Sequence, residues 1–134
     1  MKRYLAAYAV CIVVMLLLDL LWIGVVARPW YQQGIGHLMA ERFNGLAAAA
    51  FYAVYGFGLV YFVVLPDGAS ASWGKTVLAG ALFGLCAYAT YDLTNAATLR
   101  QWPWSVSLMD MAWGGFASLC ACAAAKAAVD HLGG

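Results

Sequence analysis

Four long, almost uncharged apolar runs set the rhythm of the chain, at residues 4–26, 44–65, 76–98 and 105–129. At about 1.5 Å of rise per residue, each can cross a hydrocarbon layer of roughly 30 Å as a helix. A helix also satisfies its own backbone in lipid, which an open sheet does not. The pattern predicts an all-α, integral membrane four-helix bundle, with residues 1–134 forming a single transmembrane domain. Lys2 and Arg3 precede the first run, as in a signal peptide, but that run is long and contains Asp19. Its end, Val25-Val26-Ala27 into Arg28-Pro29, is a poor cleavage context, so it is read as the first span.

Between the first two runs, residues 27–43 mix Arg28, Trp30, Tyr31, Glu41 and Arg42 with apolar positions. Trp and Tyr beside Arg mark a membrane–water interface, and residues 37–43 are expected to lie flat as an amphipathic turn or two. Pro66-Asp67-Gly68 signals a turn, with the loop continuing to Trp73-Gly74-Lys75. Residues 99–104, Leu-Arg-Gln-Trp-Pro-Trp, form a second aromatic–arginine interface.

Three aspartates interrupt the apolar runs: Asp19, Asp92 and Asp110. A carboxylate at the centre of a membrane helix costs roughly 2.5–3.5 kcal/mol on insertion scales, so such residues usually serve a function. Asp19 stands seven residues before the end of its run, Asp92 six before the end of its own, and Asp110 about five after the start of its run. Because successive spans alternate in direction, these ends share one membrane face. The three carboxyls are therefore expected at a common depth, roughly 8–11 Å in from that boundary. Asn44, Glu41, Arg28, Arg42 and Arg100 open on the same side.

Helical spacing gives the same grouping. Gly80, Gly84, Tyr88, Asp92 and Asn95 fall on one stripe, and Gly80-x-x-x-Gly84 marks a face packed against another helix. Asp110 shares a stripe with Trp113 and Ala117, and Asp19 shares one with Met15, Trp22 and Val26. The spacing predicts an acidic intramembrane pocket lined by Asp19, Asp92, Asp110, Asn95 and Asn44, walled by Trp22 and Trp113, with Arg100, Arg28 and Glu41 at its mouth. Asp19-Leu20 leading to Arg28-Pro29-Trp30 is echoed by Asp92-Leu93 leading to Arg100 and Trp102-Pro103-Trp104. Two parallel two-helix repeats would account for the echo.

Composition narrows the function classes. Of all residues 66% are hydrophobic and 10% charged, against about 25% charged in soluble domains. A net charge of +1 gives no case for nucleic acid. Lys2, Arg3, Lys75 and Lys126 face Arg28, Arg42 and Arg100 across the membrane, a weak bias that, with the basic start, places both termini in the cytoplasm. Cys11, Cys86, Cys120 and Cys122 lack C-x-x-C spacing and are expected to be buried, inert thiols. His37 and His131 fall on opposite sides, which excludes a bis-histidine haem within one chain. No metal site is assigned, no catalytic signature of the common hydrolase or nucleotide-binding kinds is present, and no cofactor is indicated.

The motifs Asp19-Leu20-Leu21-Trp22, Tyr91-Asp92-Leu93-Thr94-Asn95, Trp102-Pro103-Trp104 and Asp110-Met111-Ala112-Trp113-Gly114 together resemble the bacterial membrane-protein family catalogued as domain of unknown function 2177. The resemblance spans nearly the whole chain and implies a small four-helix inner-membrane protein. It implies no activity and carries over no catalytic residue. The residues themselves favour a pocket that binds or transports a small cation, proton or polar solute, in a homodimer or larger membrane assembly within the lipid bilayer. The alternatives are an enzyme acting on a lipid or isoprenoid with carboxylates as acid and base, and an accessory subunit of a larger membrane complex.

Overall fold

The computed structural model describes residues 2–66 and 72–133. Five α-helices follow one another: α1 (Lys2–Leu21), α2 (Arg28–Ile35), α3 (Gly45–Leu59), α4 (Trp73–Thr98) and α5 (Trp104–Gly133). A π-helical turn extends α1 over Trp22–Val26, and another extends α3 over Val60–Val64. With those turns, α1, α3, α4 and α5 are each long and apolar enough to cross a membrane. Outward-facing Leu5, Val13, Leu46, Val54, Phe57 and Leu82 give the bundle a lipid-compatible surface.

The spans are not equal partners. Half of α5's most apolar window is buried, against 17%, 28% and 22% for the windows of α1, α3 and α4, so α5 is the central helix. It packs against α4 on one side and α1 on the other. Small residues allow the α4–α5 approach: a Cβ on Gly80 would touch Cys122, and one on Gly84 would fall on the Gly114 carbonyl and the Ser118 side chain. The stripe of Gly80, Gly84 and Asp92 is buried. Ala7, Cys11 and Met15 of α1 meet Ala117, Ala121 and Ala125 of α5 in the main core.

Several local features depart from the sequence pattern. The interfacial segment is α-helical over Arg28–Ile35, ahead of the expected 37–43, because Pro29 suits the first turn of a helix, and only a single 3-10 turn at Gly36–Leu38 reaches into the expected stretch. This α2 lies on the α4–α5 connection, where a Cβ on Gly34 would overlap Val106 at 2.6 Å. Helix α4 begins at Trp73, inside the expected loop, because Ser72 accepts a hydrogen bond from the Lys75 amide and caps it. Asp67 and Gly68 of the predicted turn lie outside the described residues. On α1 the π-turn breaks the expected stripe: Met15 and Asp19 are buried, whereas Val26 is exposed and Ala27 is buried instead. Cys11 and Cys122 are buried as expected, but Cys86 is exposed, on the side of α4 away from its glycine stripe.

Lys126, on the terminal side, is buried at 2% exposure against Asp130 at 3.0 Å and over the Trp73 ring at 5.1 Å. Asp130→Ala leaves that ammonium without its carboxylate and is expected to cost about 1–3 kcal/mol, discounted because Asp130 is one-third exposed. Thermal unfolding in detergent measures the loss. Adding Lys126→Met to Asp130→Ala should restore most of it, because the buried charge is then gone.

Candidate functional site

Two hydrogen-bonded relays converge where α1, α2, α3 and α5 meet. In the first, Asp19 accepts from the Tyr52 hydroxyl through Oδ2 at 2.7 Å and from Trp113 Nε1 through Oδ1 at 2.8 Å. Its carboxylate thereby ties α1 to both α3 and α5. In the second, the Tyr31 hydroxyl donates to Asp110 Oδ1 at 2.8 Å and accepts from Trp22 Nε1 at 3.2 Å. Trp22 and Trp113 stack with centroids 4.6 Å apart and an interplanar angle of 5°, which joins the relays. Burial, and then the carboxyl of Asp110, push the Tyr31 phenol above its ordinary pKa. Tyr31 therefore stays a donor throughout the physiological range.

Asp92 is handled differently. It is fully buried, and neither carboxyl oxygen has a hydrogen-bond partner among the described residues. Its neighbour is the carboxyl of Asp110. The backbone around it is firmly held: Trp102 Nε1 donates to Ser107 Oγ at 2.8 Å, and Ser107 Oγ donates to the Asp92 carbonyl at 3.0 Å. The turn between α4 and α5 that makes this contact carries Gln101 at a φ of 59°, a left-handed conformation that reverses the chain. The position of Asp92 is thus fixed while its carboxyl is left unsatisfied.

A cavity of about 550 Å³ lies against the Asp92–Asp110 pair. Among the described residues those two are its only charged lining groups. Tyr31, Tyr55, Tyr88, Tyr91 and Trp102 add aromatic faces, and Ile23, Ile35, Met39, Phe51 and Val106 complete an apolar wall. Helices α3 and α4 touch through Tyr55 and Phe62 against Phe83, and through Tyr55 against Tyr88. Beyond that contact they part, and Phe51 and Tyr91 stand exposed on either side.

The structure divides the residues singled out from the sequence. Asp92 and Asp110 share the cavity, whereas Asp19 lines a neighbouring groove bounded by Ile12, Leu16, Phe43 and Tyr52. Trp22 lines a separate depression beside Trp30 and Met109. Trp113 lines none of the three cavities and serves Asp19. Asn44 caps α3, accepting from the Ala47 amide at 3.0 Å. Asn95 lies beside the Tyr91 hydroxyl, one turn along α4, and lines none of these cavities. Arg28, Glu41 and Arg100 are exposed at the same end of the bundle. Among the described residues, no group of three or more His, Cys, Asp or Glu is placed to hold a metal ion.

The tyrosines were the missed residues. Tyr52 and Tyr55 look like aromatic bulk in an apolar run, yet each hydroxyl needs a partner in lipid: Tyr52 finds Asp19, and Tyr55 finds Ser118 Oγ at 2.6 Å. Tyrosine in place of phenylalanine at mid-span was the available signal.

Four long apolar spans enclosing the buried carboxyls of Asp19 and Asp92 define a multi-pass membrane protein. A family model described as a predicted membrane protein, domain of unknown function 2177, matches residues 4–128, and the chain belongs to that family. Neither a curated protein nor a solved structure matches it.

Proposed function

We propose that this protein binds and exchanges a proton or small cation at the Asp92–Asp110 pair and uses that exchange to move a small ligand through the membrane. The observation that carries the reading is the buried Asp92 carboxyl, which has no donor of its own and faces a second carboxyl. Two like charges about 4 Å apart in a protein interior repel by roughly 4 kcal/mol, so such a pair calls for a positive partner. A shared proton supplies one, and a cation can replace it. We place the protein in the bacterial inner membrane with both termini cytoplasmic, as a homodimer, because four spans are few for a complete path.

The test is infrared pH-difference spectroscopy on protein in lipid nanodiscs. A protonated-carboxyl band should appear and vanish with pH, and Asp92→Asn and Asp110→Asn should each remove or displace it. A carboxyl signal indifferent to pH, or to both substitutions, overturns the reading.

A second reading is an enzyme acting on a lipid or isoprenoid, and a largely apolar cavity beside two carboxyls favours it. It requires a covalent change in lipid extracts incubated with the protein, abolished by Asp110→Asn. The accessory-subunit alternative needs no cavity and draws no support from this one.

A further inference from the structure

The shape and lining of the cavity say more about the ligand than the carboxyl pair alone. We propose that the pocket takes a hydrophobic organic amine in its ammonium form, which enters from the bilayer between α3 and α4 and displaces the proton held between Asp110 and Asp92. This inference rests on the proton-exchange reading and narrows its ligand to one chemical class.

Three observations converge on that class. The cavity, about 550 Å³, lies within the range of roughly 300–1,000 Å³ typical of small-molecule sites and is far larger than a bare inorganic cation needs. Its charge is of one sign, since Asp92 and Asp110 line it and no lysine or arginine does. An anionic or phosphorylated lipid head would meet repulsion there, whereas an ammonium would find its counter-charge. Its remaining walls are aromatic and aliphatic, with Tyr31, Tyr88, Tyr91 and Trp102 offering π-faces suited to a desolvated cation.

The two carboxyls divide the work by position. Asp110 is partly exposed, so it is the member an ammonium meets first. Tyr31 holds one of its oxygens, Oδ1, and leaves Oδ2 for the ligand. Asp92 is fully buried and acts through Asp110, as the group across which the proton is shared. The exchange balances: one ammonium charge enters, one proton leaves, and the charge of the site is unchanged. Phe51 on α3 and Tyr91 on α4 line the cavity and are exposed, which suits entry of a ligand already dissolved in lipid.

A matched pair of probes tests this in phosphatidylcholine nanodiscs, with protein-free discs as the blank: 1-naphthylmethylamine, cationic at neutral pH, and 1-naphthylmethanol, its neutral counterpart. Tryptophan quenching should show saturable amine binding at least tenfold tighter than that of the alcohol. Weakly buffered solution should record up to one proton released per amine bound. Asp110→Asn should weaken amine binding at least tenfold and abolish proton release while leaving the weak alcohol binding in place. Ala87→Leu, which fills the cavity without altering charge, should weaken amine binding as well and stands in if Asp110→Asn does not fold. Equal binding of amine and alcohol overturns the inference, as does amine binding indifferent to both substitutions. If sodium or potassium releases the proton and the amine does not, the amine is wrong while the exchange reading stands. If no carboxyl titrates at all, the exchange reading is what has failed.

Discussion

Asp19→Ala is expected to unfasten α3 from the bundle. The carboxylate accepts from Tyr52 on α3 and Trp113 on α5, so its loss strands two donors that have no water to turn to. Hydrogen bonds to a charged acceptor contribute about 1.5–3 kcal/mol each, but values measured within membranes are smaller, and removing a buried charge gives some of the energy back. A net loss of about 2–4 kcal/mol follows for the pair. It should be read as a lower unfolding midpoint in mild detergent. It should also appear as faster maleimide labelling of Cys11 and Cys122, which are buried in the cluster that α3 covers. Tyr52→Phe removes one bond and leaves the carboxylate its other donor, so it should cost about 1 kcal/mol. An Asp19→Ala protein as stable as the parent, with its thiols equally protected, would show that Asp19 does not hold α3.

Gly114→Ala should damage the bundle at its tightest crossing and deform the cavity as well. A Cβ at residue 114 would lie on the ring of Tyr88. Behind that ring stands Tyr55, with ring centroids 6.0 Å apart, and both tyrosines line the cavity. Room has to come from moving an aromatic side chain or from separating α4 and α5, and overpacking of this kind costs about 1–3 kcal/mol. We expect the upper part of that range, because the obstacle is the near part of a ring and not the end of a flexible chain. The decisive measurement is the double variant. Tyr88→Ala alone is destabilising through lost packing, but combined with Gly114→Ala it should add little, since the ring that clashes is gone. Strict additivity of the two losses would sink the account.

Much of the architecture was legible because lipid imposes a simple rule on the chain. The four runs had to be helices, and counting from their ends placed Asp19, Asp92 and Asp110 near one level. Trp113, one turn from Asp110, donates to Asp19 across the α1–α5 contact. What could not be read was the lateral arrangement, because helical phase says which residues share a face and not which helix that face meets. The π-turn at Trp22–Val26 also shifts the phase midway. So Asp19 and Asp92, alike in sequence, have opposite fates: one is satisfied by two donors and the other by none. Trp22 and Trp113, expected as facing walls, instead stack on each other. Asn44 fell to a local competitor, since a short polar side chain preceding a helix caps it.

The way α3 is seated on both earlier and later spans bears on the order in which the molecule assembles. Its second-emerging span meets α1 where a Cβ on Gly56 would press on Ile12 and where the Tyr8 hydroxyl reaches the Ala53 carbonyl. Tyr52 also reaches Asp19 on α1, while Phe83, Tyr88 and Ser118, further partners of α3, belong to segments synthesised afterwards. During biogenesis α3 can therefore dock on α1 first, through Tyr8, Ile12 and Asp19, and complete its seat only when α4 and α5 have arrived. The pocket draws walls from α3, α4 and α5, so it cannot exist before the last of these spans is in place.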